Sequence, residues 1–379
     1  MTDLSSKYRH LFPVLEKVTY LNSCSQGALA IPVREALDLY LDGMFEKGSL
    51  WNEWVMKQEE LRVLVAKAFS TLSTNVAITS TASAGINSVL SSFDFTGGRN
   101  RIVTTDLEFP TMGQILHAQE RRGAVVTHIA SEPDGLLDLN KLENSLDERV
   151  ALIAVTHVCY RHGAMTDLKA VATVAHKHGI PVLVDAYQSC CSQPIDFDEV
   201  GVDFLVGGFL KYMLGIPGIG FLLTRSDSTL VPTNTGWFAA RDIFSMDINS
   251  YDPSPEARRF EGGTPPIPSV YAAVAGLQVL LEVGLRDIWD YTKELSESIR
   301  LRLDELGFEI ATPEAPGSSG LMLAVRALKP ELSVLQLEAD GVIVSTRGNN
   351  LRVSPHFYNS IEDADRLVSS LFSHRESFM

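Results

Sequence analysis

Short apolar runs alternate with amphipathic segments between residues 76 and 223. The apolar runs have the length of strands, whereas the segments between them carry apolar residues at helical spacing. The runs at 151–156 and 181–184 are almost uninterrupted, which is typical of parallel strands buried on both faces. This alternation predicts an α/β fold with a mostly parallel sheet flanked by helices. We predict strands at 76–79, 102–105, 124–129, 151–156, 181–184, 203–206 and 219–223, and helices at 33–45, 51–69, 83–93, 114–121, 139–146 and 167–178.

The pattern changes in the last third of the chain. Residues 234–266 are irregular and rich in proline and glycine, and two helical patterns then run over 269–306. Shorter patterns follow, which predict strands at 308–311, 321–327 and 342–345 and a helix at 333–339. We therefore expect a large domain and a smaller C-terminal α+β domain. The predicted divisions are an N-terminal segment 1–30, a large domain 31–265 and a small domain 266–379.

Composition narrows the class of protein. The chain has 379 residues and a net charge of −15, which argues against nucleic acid or an anionic membrane as a partner. No apolar run reaches the ~18 residues that span a bilayer, and the N-terminus has no signal-peptide pattern. The four cysteines form no CxxC pair, which predicts reduced thiols and a cytoplasmic protein. The histidines show no metal-ligand spacing, so we predict no metal site.

One lysine stands in the glycine-rich segment between the last two predicted strands. Apolar residues and glycines surround Lys211 in the stretch DFLVGGFLKYMLGIPGIGFLL. Loss of hydration lowers the pKa of a lysine and makes it a nucleophile that can form a Schiff base. The alternative is a lysine whose stem packs against the core while its ammonium reaches water.

A carboxylate follows the preceding predicted strand. Asp185 ends the apolar run PVLV, and Gln188 comes three residues later. Ligands of open α/β sheets bind outside the carboxyl ends of strands, and a carboxylate there needs a cationic or hydrogen-bonded partner. The protonated ring nitrogen of pyridoxal phosphate (PLP) is such a partner. The alternative is an aspartate that caps the next helix.

Two further features follow predicted strands. Thr81, Ala82 and Ser83 lie at a helix start, where free backbone N–H groups and the helix dipole suit a phosphate. Phe109 follows the strand at 102–105, where a flat aromatic side chain could stack on a ring. The alternatives are an ordinary helix cap and an ordinary core phenylalanine.

Together these motifs resemble those of the fold type I PLP enzymes. The resemblance is to the class V aminotransferase group, which includes cysteine desulfurases, kynureninases and isopenicillin-N-epimerase-like proteins, and it covers nearly the whole chain. It implies a large domain built on a seven-stranded sheet of the fold type I kind. Further expectations are PLP as the cofactor, an amino-acid substrate and a homodimer with shared active sites. It also implies that Lys211 forms the Schiff base and shuttles the α-proton, while Asp185 pairs with the pyridine nitrogen. The cofactor-binding residues it implies are Thr81, Ala82, Ser83, Phe109, Thr156, Asp185, Gln188, Lys211 and, across the dimer interface, Thr264.

The same resemblance suggests substrate-binding residues. Arg352, followed by VSP, matches the family's C-terminal arginine that pairs with the substrate carboxylate, and Arg347 is a second candidate. Asn22 belongs to an N-terminal segment that folds over the active site in the family. Tyr160 lies in the loop after the strand at 151–156, and Trp237 stands in a GW pair similar to that of kynureninases.

Departures from the family patterns reduce the number of reactions that the chain could catalyse. Kynureninases carry Asp where this chain has Met112, the family usually has His or Tyr where Leu210 stands, and no cysteine follows Cys191. An ordinary desulfurase is therefore excluded, and we predict an aminotransferase. The alternatives are a lyase or hydrolase acting at Cβ (C–S lyase or kynureninase-like), and a racemising or decarboxylating variant. A non-catalytic protein on this fold is a distant alternative, and a Rossmann dehydrogenase lacks its GxGxxG motif.

Overall fold

The computed structural model describes residues 3–378 and shows a large central sheet, flanking helices and a smaller sheet near the C-terminus. The strands are β1 (Thr19–Tyr20), β2 (Val76–Thr79), β3 (Arg101–Thr105), β4 (Val125–Ile129), β5 (Val150–Thr156), β6 (Val182–Asp185), β7 (Phe204–Gly208), β8 (Gly220–Thr224), β9 (Leu323–Arg326), β10 (Val342–Ile343), β11 (Ser345–Arg347) and β12 (Asn350–Val353). The α-helices are α1 (Leu4–Tyr8), α2 (Ile31–Lys47), α3 (Trp51–Ala68), α4 (Ala82–Ser91), α5 (Pro110–Ala118), α6 (Leu139–Asn144), α7 (Leu168–Lys177), α8 (Phe197–Val200), α9 (Ile267–Val283), α10 (Leu285–Glu305), α11 (Pro330–Ala339) and α12 (Ile361–Ser373).

The central sheet has seven strands in the order β2-β8-β7-β6-β5-β3-β4. The strands β3 to β7 pair in parallel, and β8 runs antiparallel to both of its neighbours. The mostly parallel α/β sheet is therefore confirmed, and each of its predicted strands is present. The strand predicted at 203–206 extends to Gly208, because Gly207 and Gly208 continue the pairing with β8. A Cβ atom on Gly207 would lie 2.5 Å from the sulfur of Cys190, so close packing explains a glycine inside this strand.

Helix α9 lies in the main hydrophobic core and contacts α2 and α3. The two helices expected over 269–306 are α9 and α10, which separate at Gly284, where φ is +96°. Within residues 3–378, no single helix has the length and apolar composition to cross a membrane. Helices α9 and α10 pass that test only as a pair bent by 78°, on length and composition alone.

The C-terminal part is a three-stranded antiparallel sheet in the order β11-β12-β9, packed with helices. Ile299, Leu303 and Leu367, from α10 and α12, are fully buried in its core. The strand predicted at 308–311 is shorter than expected, since its pairing with β9 is limited to the bridge at Ile310 and two flanking backbone hydrogen bonds. Pro313 follows this bridge closely and has no N–H group to continue a ladder.

The N-terminal segment contacts both parts of the molecule, and its strand β1 forms a separate two-stranded sheet with β10. Strand β1 pairs in parallel with β10 of the C-terminal part, and the N–H of Gly27 donates a 2.9 Å hydrogen bond to the carbonyl of Leu210 beside the central sheet. Helices α2 and α9 begin at Ile31 and Ile267, next to the predicted divisions. The division of the chain into 1–30, 31–265 and 266–379 stays a prediction.

Candidate active site

A cavity of about 290 Å³ opens where β5 and β6 end and the chain leaves β7. This is the edge of an open α/β sheet at which ligands usually bind. Most of the predicted cofactor-binding residues share this cavity. Its lining residues are Thr81, Ala82, Ser83, Ile86, Phe109, Thr111, Thr156, Val158, Tyr160, Asp185, Tyr187, Gln188, Leu210 and Lys211.

Lys211 lies just beyond β7, and its side chain enters this cavity. Its Nζ atom is 4.5 Å from the ring centroid of Tyr187 and 5.7 Å from that of Phe109. Burial lowers the pKa of Lys211 to about 8, although the negative charge of Asp185 acts in the opposite direction. With this pKa, about a tenth of the amine is unprotonated at pH 7, and this fraction can act as a nucleophile.

Asp185 is the last residue of β6 and is buried. Its Oδ1 atom accepts a 2.9 Å hydrogen bond from the N–H of Tyr187. Burial raises the pKa of Asp185, whereas this hydrogen bond and the positive charge of Lys211 lower it. The carboxylate therefore lies in a poorly hydrated site that favours a cationic partner.

The N-terminus of α4 forms another wall of the cavity. Thr81 caps this helix, and its hydroxyl oxygen accepts a 3.0 Å hydrogen bond from the N–H of Ala84. The backbone N–H groups of Ala82 and Ser83 belong to the first turn, where a helix has no intrahelical acceptors for them. A Cβ atom on Gly220 of β8 would lie 2.8 Å from the nitrogen of Ala82, so this glycine allows the helix start to approach the sheet.

Polar and aromatic side chains complete the cavity. The Nε2 of Gln188 donates a 3.1 Å hydrogen bond to the carbonyl of Cys24, while its buried Oε1 has no partner among the described residues. The hydroxyl oxygen of Thr156 lies 3.3 Å from the carbonyl oxygens of both Val158 and Asp185, and its one proton can be donated to either. Phe109 is 37% exposed, so part of its ring faces open space.

Arg352 lies near the cavity, on β12, and is 1% exposed. Its guanidinium donates hydrogen bonds to the carbonyl of Tyr160 at 3.0 Å and to the hydroxyls of Ser25 and Ser345 at 2.8 and 2.9 Å. Among residues 3–378, no carboxylate forms an ion pair with it, and its buried Nε has no partner. Its positive charge acts on Lys211, and burial lowers the pKa of Arg352. A buried arginine without a carboxylate is a ready site for an anionic ligand.

The structure does not bring every predicted site residue into the cavity. Thr264 lies beside a separate depression of about 140 Å³, next to Ser80 and Ala84. Trp237 packs against Trp51, with ring centroids 5.8 Å apart, and does not line the cavity.

Two other candidates, Asn22 and Arg347, do not line the cavity either. The backbone of Asn22 bridges to Ser354, and its buried Oδ1 has no partner in the described part of the chain. Arg347 is exposed, yet its charge also acts on the amine of Lys211.

Sequence reasoning missed two residues of this region. Tyr187 lines the cavity, and its position between Asp185 and Gln188 in the motif DAYQ was a signal for it. Glu108 is buried directly before Phe109, and a charged residue next to a predicted ring-stacking aromatic was the available signal.

Within residues 3–378, no group of three or more His, Cys, Asp or Glu side chains could hold a metal ion.

The donor set of the cavity suits a particular kind of cofactor. A buried carboxylate favours a protonated ring nitrogen, the start of α4 favours a phosphate, and a lysine of lowered pKa favours an aldehyde. Pyridoxal phosphate carries these groups on one flat ring, which matches the exposed aromatic face of Phe109. The residues present therefore fit PLP.

Comparisons with known proteins show which family the chain resembles. The chain is 35% identical over 373 residues to an uncharacterized aminotransferase, YcbU, of Bacillus subtilis (strain 168), covering 98% of both chains. It is 27% identical to a kynureninase of Bacillus mycoides (strain KBAB4), over 94% of this chain and 88% of that one. The solved structure of the cystine C–S lyase C-DES has a similar fold, with a TM-score of 0.87, 24% identity and coverage of 95% and 99% of the two chains.

The family model for aminotransferase class V matches residues 37–367, which include the lysine, the aspartate and the buried arginine described above. The chain therefore belongs to the class V aminotransferase family of PLP-dependent enzymes.

Proposed function

We propose that this enzyme is an aminotransferase that acts on an α-amino acid through Lys211. The observation that carries the proposal is the position of the Lys211 amine, which is buried in one cavity with Asp185 and the start of α4. Aminotransfer needs a nucleophilic lysine, an acid partner for the ring nitrogen and a carboxylate-binding group, and the chain supplies a candidate for each.

Several residues would hold the cofactor in this proposal. The N–H groups of Ala82 and Ser83 and the hydroxyl of Thr81 bind the phosphate, because they lie at the positive end of α4. Phe109 would pack on the ring face, and Thr156 and Gln188 would supply polar groups to its hydroxyl. Gln188 also holds the carbonyl of Cys24, so it connects the N-terminal segment to the cofactor site.

Lys211 and Asp185 carry the chemical steps. When bound, PLP supplies an aldehyde that condenses with amines and a ring that accepts electrons from the substrate α-carbon. Asp185 keeps the ring nitrogen protonated, because a buried carboxylate pairs strongly with a cation. Lys211 would hold the aldehyde group through Nζ, and its free amine would move a proton at the substrate α-carbon.

Arg352 binds the substrate carboxylate in this scheme. Its guanidinium is already oriented by Ser25, Ser345 and the carbonyl of Tyr160. A pre-oriented guanidinium loses little rotamer entropy when it forms a bidentate pair with a carboxylate. Arg347, Asn22 and the side chain of Tyr160 stay candidates for further substrate contacts.

Thr264 belongs to the proposal as a residue that acts across a homodimer. Thr264 lies outside the cavity of its own chain, on an exposed loop. The loop is anchored by Glu261, which accepts hydrogen bonds from Arg62 at 2.6 Å and from the N–H of Ile78 at 2.8 Å. We infer that Thr264 of the partner subunit contacts the cofactor phosphate. A homodimer and a cytoplasmic location stay predictions.

A lyase that acts at Cβ is the second candidate. The kynureninase relative and the C–S lyase of similar fold favour it. Met112, where kynureninases carry Asp, argues against kynureninase chemistry, because its side chain is fully buried in the core and presents no polar group to a substrate. C–S cleavage that needs no cysteine nucleophile remains the stronger form of this alternative.

The test is a single-turnover reaction with a panel of amino acids. The protein is loaded with PLP, each amino acid is added without a 2-oxo acid, and the visible spectrum and released products are followed. We expect lasting conversion of the cofactor to its pyridoxamine form, with one 2-oxo acid released per site. Continuous release of ammonia with an unchanged cofactor spectrum would contradict aminotransfer and support the lyase.

Two variants serve as controls for this test. Lys211→Ala should lose both the absorption band of the lysine-bound cofactor and the turnover. Lys177→Ala changes an exposed lysine on α7 and should keep both. Retention of the band in Lys211→Ala would refute the assignment of Lys211.

A further inference from the structure

Glu108 is a buried acid that the proposed mechanism does not use. It lies in the turn between β3 and α5, one residue before Phe109. Its Oε1 atom accepts a 2.8 Å hydrogen bond from the hydroxyl of Thr105 and a 2.9 Å hydrogen bond from the N–H of Thr156. Its Oε2 atom is buried and has no hydrogen-bond partner among residues 3–378. One carboxyl oxygen therefore accepts two hydrogen bonds, whereas the other has no hydrogen-bond partner among the described residues.

The charges around Glu108 favour its neutral form. In the described part of the chain, no Lys, Arg or His forms an ion pair with it, and the charges that act on it most are those of Asp185, at the end of β6, and Asp106, on its own turn. A buried carboxylate without a cation is unfavourable, and a neighbouring carboxylate increases that penalty. Burial raises the pKa of Glu108 to about 8, against the opposing effect of its two hydrogen bonds.

Asp185 has partners that Glu108 lacks. The N–H of Tyr187 donates to its carboxylate, and the positive charge of Lys211 favours its ionised form. When two buried carboxyl groups interact, the one with the better cationic partners keeps the negative charge. The proton is therefore expected on Glu108, and the charge on Asp185.

Glu108 also joins the strand ends that form the cavity. It binds Thr105 at the end of β3 and Thr156 at the end of β5, and the hydroxyl of Thr156 can donate to the carbonyl of Asp185 on β6. Because Glu108 is adjacent to Phe109, these hydrogen bonds also restrain the backbone that carries the aromatic ring. Small displacements of groups that contact a cofactor have large effects on its binding.

We propose that Glu108 is a positioning residue that acts as a neutral carboxylic acid. It holds Phe109 and Thr156 at the cofactor ring, and it leaves Asp185 as the ionised carboxylate of the cavity. The inference rests on the proposed pairing of Asp185 with the ring nitrogen, but not on which reaction the enzyme performs.

The experiment compares Glu108→Gln with Glu108→Ala. Glutamine is nearly isosteric with the protonated acid, because its amide oxygen can accept from Thr105 and Thr156 and its NH₂ group replaces the acid O–H. PLP affinity is measured by titrating the apoprotein at pH 6, 7 and 9, and the unfolding midpoint of the apoprotein is measured over the same pH range. Glu148→Gln, which alters an exposed glutamate, is the matched control.

At pH 7 we expect Glu108→Gln to bind PLP within about threefold of the parent protein, and Glu108→Ala to bind it about tenfold or more weakly. The pKa of Glu108 is raised in the folded state, so the folded protein binds more protons than the unfolded chain from about pH 4.5 to 8. Its contribution to stability is therefore lost as the pH rises through that window. Glu108→Gln should gain stability relative to the parent protein as the pH increases to about 8, whereas Glu148→Gln should not.

Two results would overturn the proposal. The first is a loss of PLP affinity in Glu108→Gln as large as in Glu108→Ala at pH 7, which would show that an ionised carboxylate is needed. The second is an unfolding midpoint of Glu108→Gln that follows the parent protein in parallel across the pH range. This second measurement remains decisive if Glu108→Ala does not fold. If PLP binding fails to respond to Asp185→Asn, the pairing of Asp185 itself is wrong, which is a separate outcome.

Discussion

Gly27→Ala is expected to disable the enzyme from outside the cavity. Gly27 belongs to the N-terminal segment, and its N–H donates to the carbonyl of Leu210. A Cβ atom at this position would lie well within 3.0 Å of the carbonyl oxygen of Lys211 and 3.1 Å from Cδ2 of Leu214. The oxygen belongs to the backbone, so it cannot move aside as the end of a flexible side chain could.

The displacement that results sets the size of the effect. Normal contact requires the N-terminal segment or the backbone of Lys211 to move by roughly 1 Å. A displacement of that size at a reacting group reduces the rate by about a hundredfold, and overpacking lowers the free energy of unfolding by about 1–3 kcal/mol. The N-terminal segment also supplies Ser25, which orients Arg352, so we expect a rise in KM as well.

The assay measures kcat, KM and the unfolding midpoint of Gly27→Ala beside those of Gly97→Ala. A Cβ atom on Gly97 would have no neighbour within 4 Å, and this glycine lies in an exposed loop, so its variant should match the parent protein. Activity of Gly27→Ala within threefold of the parent protein would refute the argument, because it would mean that the segment does not press on the backbone of Lys211.

Three further predictions concern charged groups. Arg352→Gln should lower kcat/KM for an amino acid by about a hundredfold or more. The rate with the corresponding amine, which lacks the carboxylate, should stay unchanged. An equal loss for both substrates would contradict the role of Arg352 in binding the carboxylate. Lys211→Met should stabilise the apoprotein by up to about 3 kcal/mol at pH 7. The pKa of Lys211 is lowered to about 8, so this gain should shrink as the pH rises from 8 to 10.5 and should be absent above it, as denaturant titrations at several pH values would show. Glu261→Ala should lower the free energy of unfolding by about 3 kcal/mol, because Arg62 keeps only the half-exposed Glu59 as its carboxylate and the buried N–H of Ile78 loses its acceptor. A change below about 1 kcal/mol would contradict this.

Part of the site could be predicted from the sequence, because short stretches of the chain specify it. Lys211 and Asp185 follow apolar strands, and the start of α4 carries a threonine cap. Strand ends and helix starts are fixed by periodicity and capping, which are properties of short stretches of chain. The structure places these residues in one cavity, as the position of each at a strand end or a helix start suggested.

Other features depend on contacts between distant stretches. The isolated Oε2 of Glu108 and the contact between Gly27 and Lys211 cannot be seen in a sequence pattern. The strand predicted at 308–311 is shorter for the same reason: its pairing with β9 is limited to the bridge at Ile310 and two flanking backbone hydrogen bonds, and an apolar pattern does not show how far a ladder continues.

The sequence by itself determined the α/β architecture and the family, and it singled out Lys211 as the candidate nucleophile, because hydrophobic periodicity and short motifs act locally. Only the tertiary structure decided which groups share the cavity, that no carboxylate of residues 3–378 pairs with Arg352, and that Thr264 and Trp237 lie outside the cavity of their own chain. Burial and charge pairing arise from residues far apart in the chain, and they set the pKa values of Lys211, Asp185 and Glu108 only after the strands have been brought together.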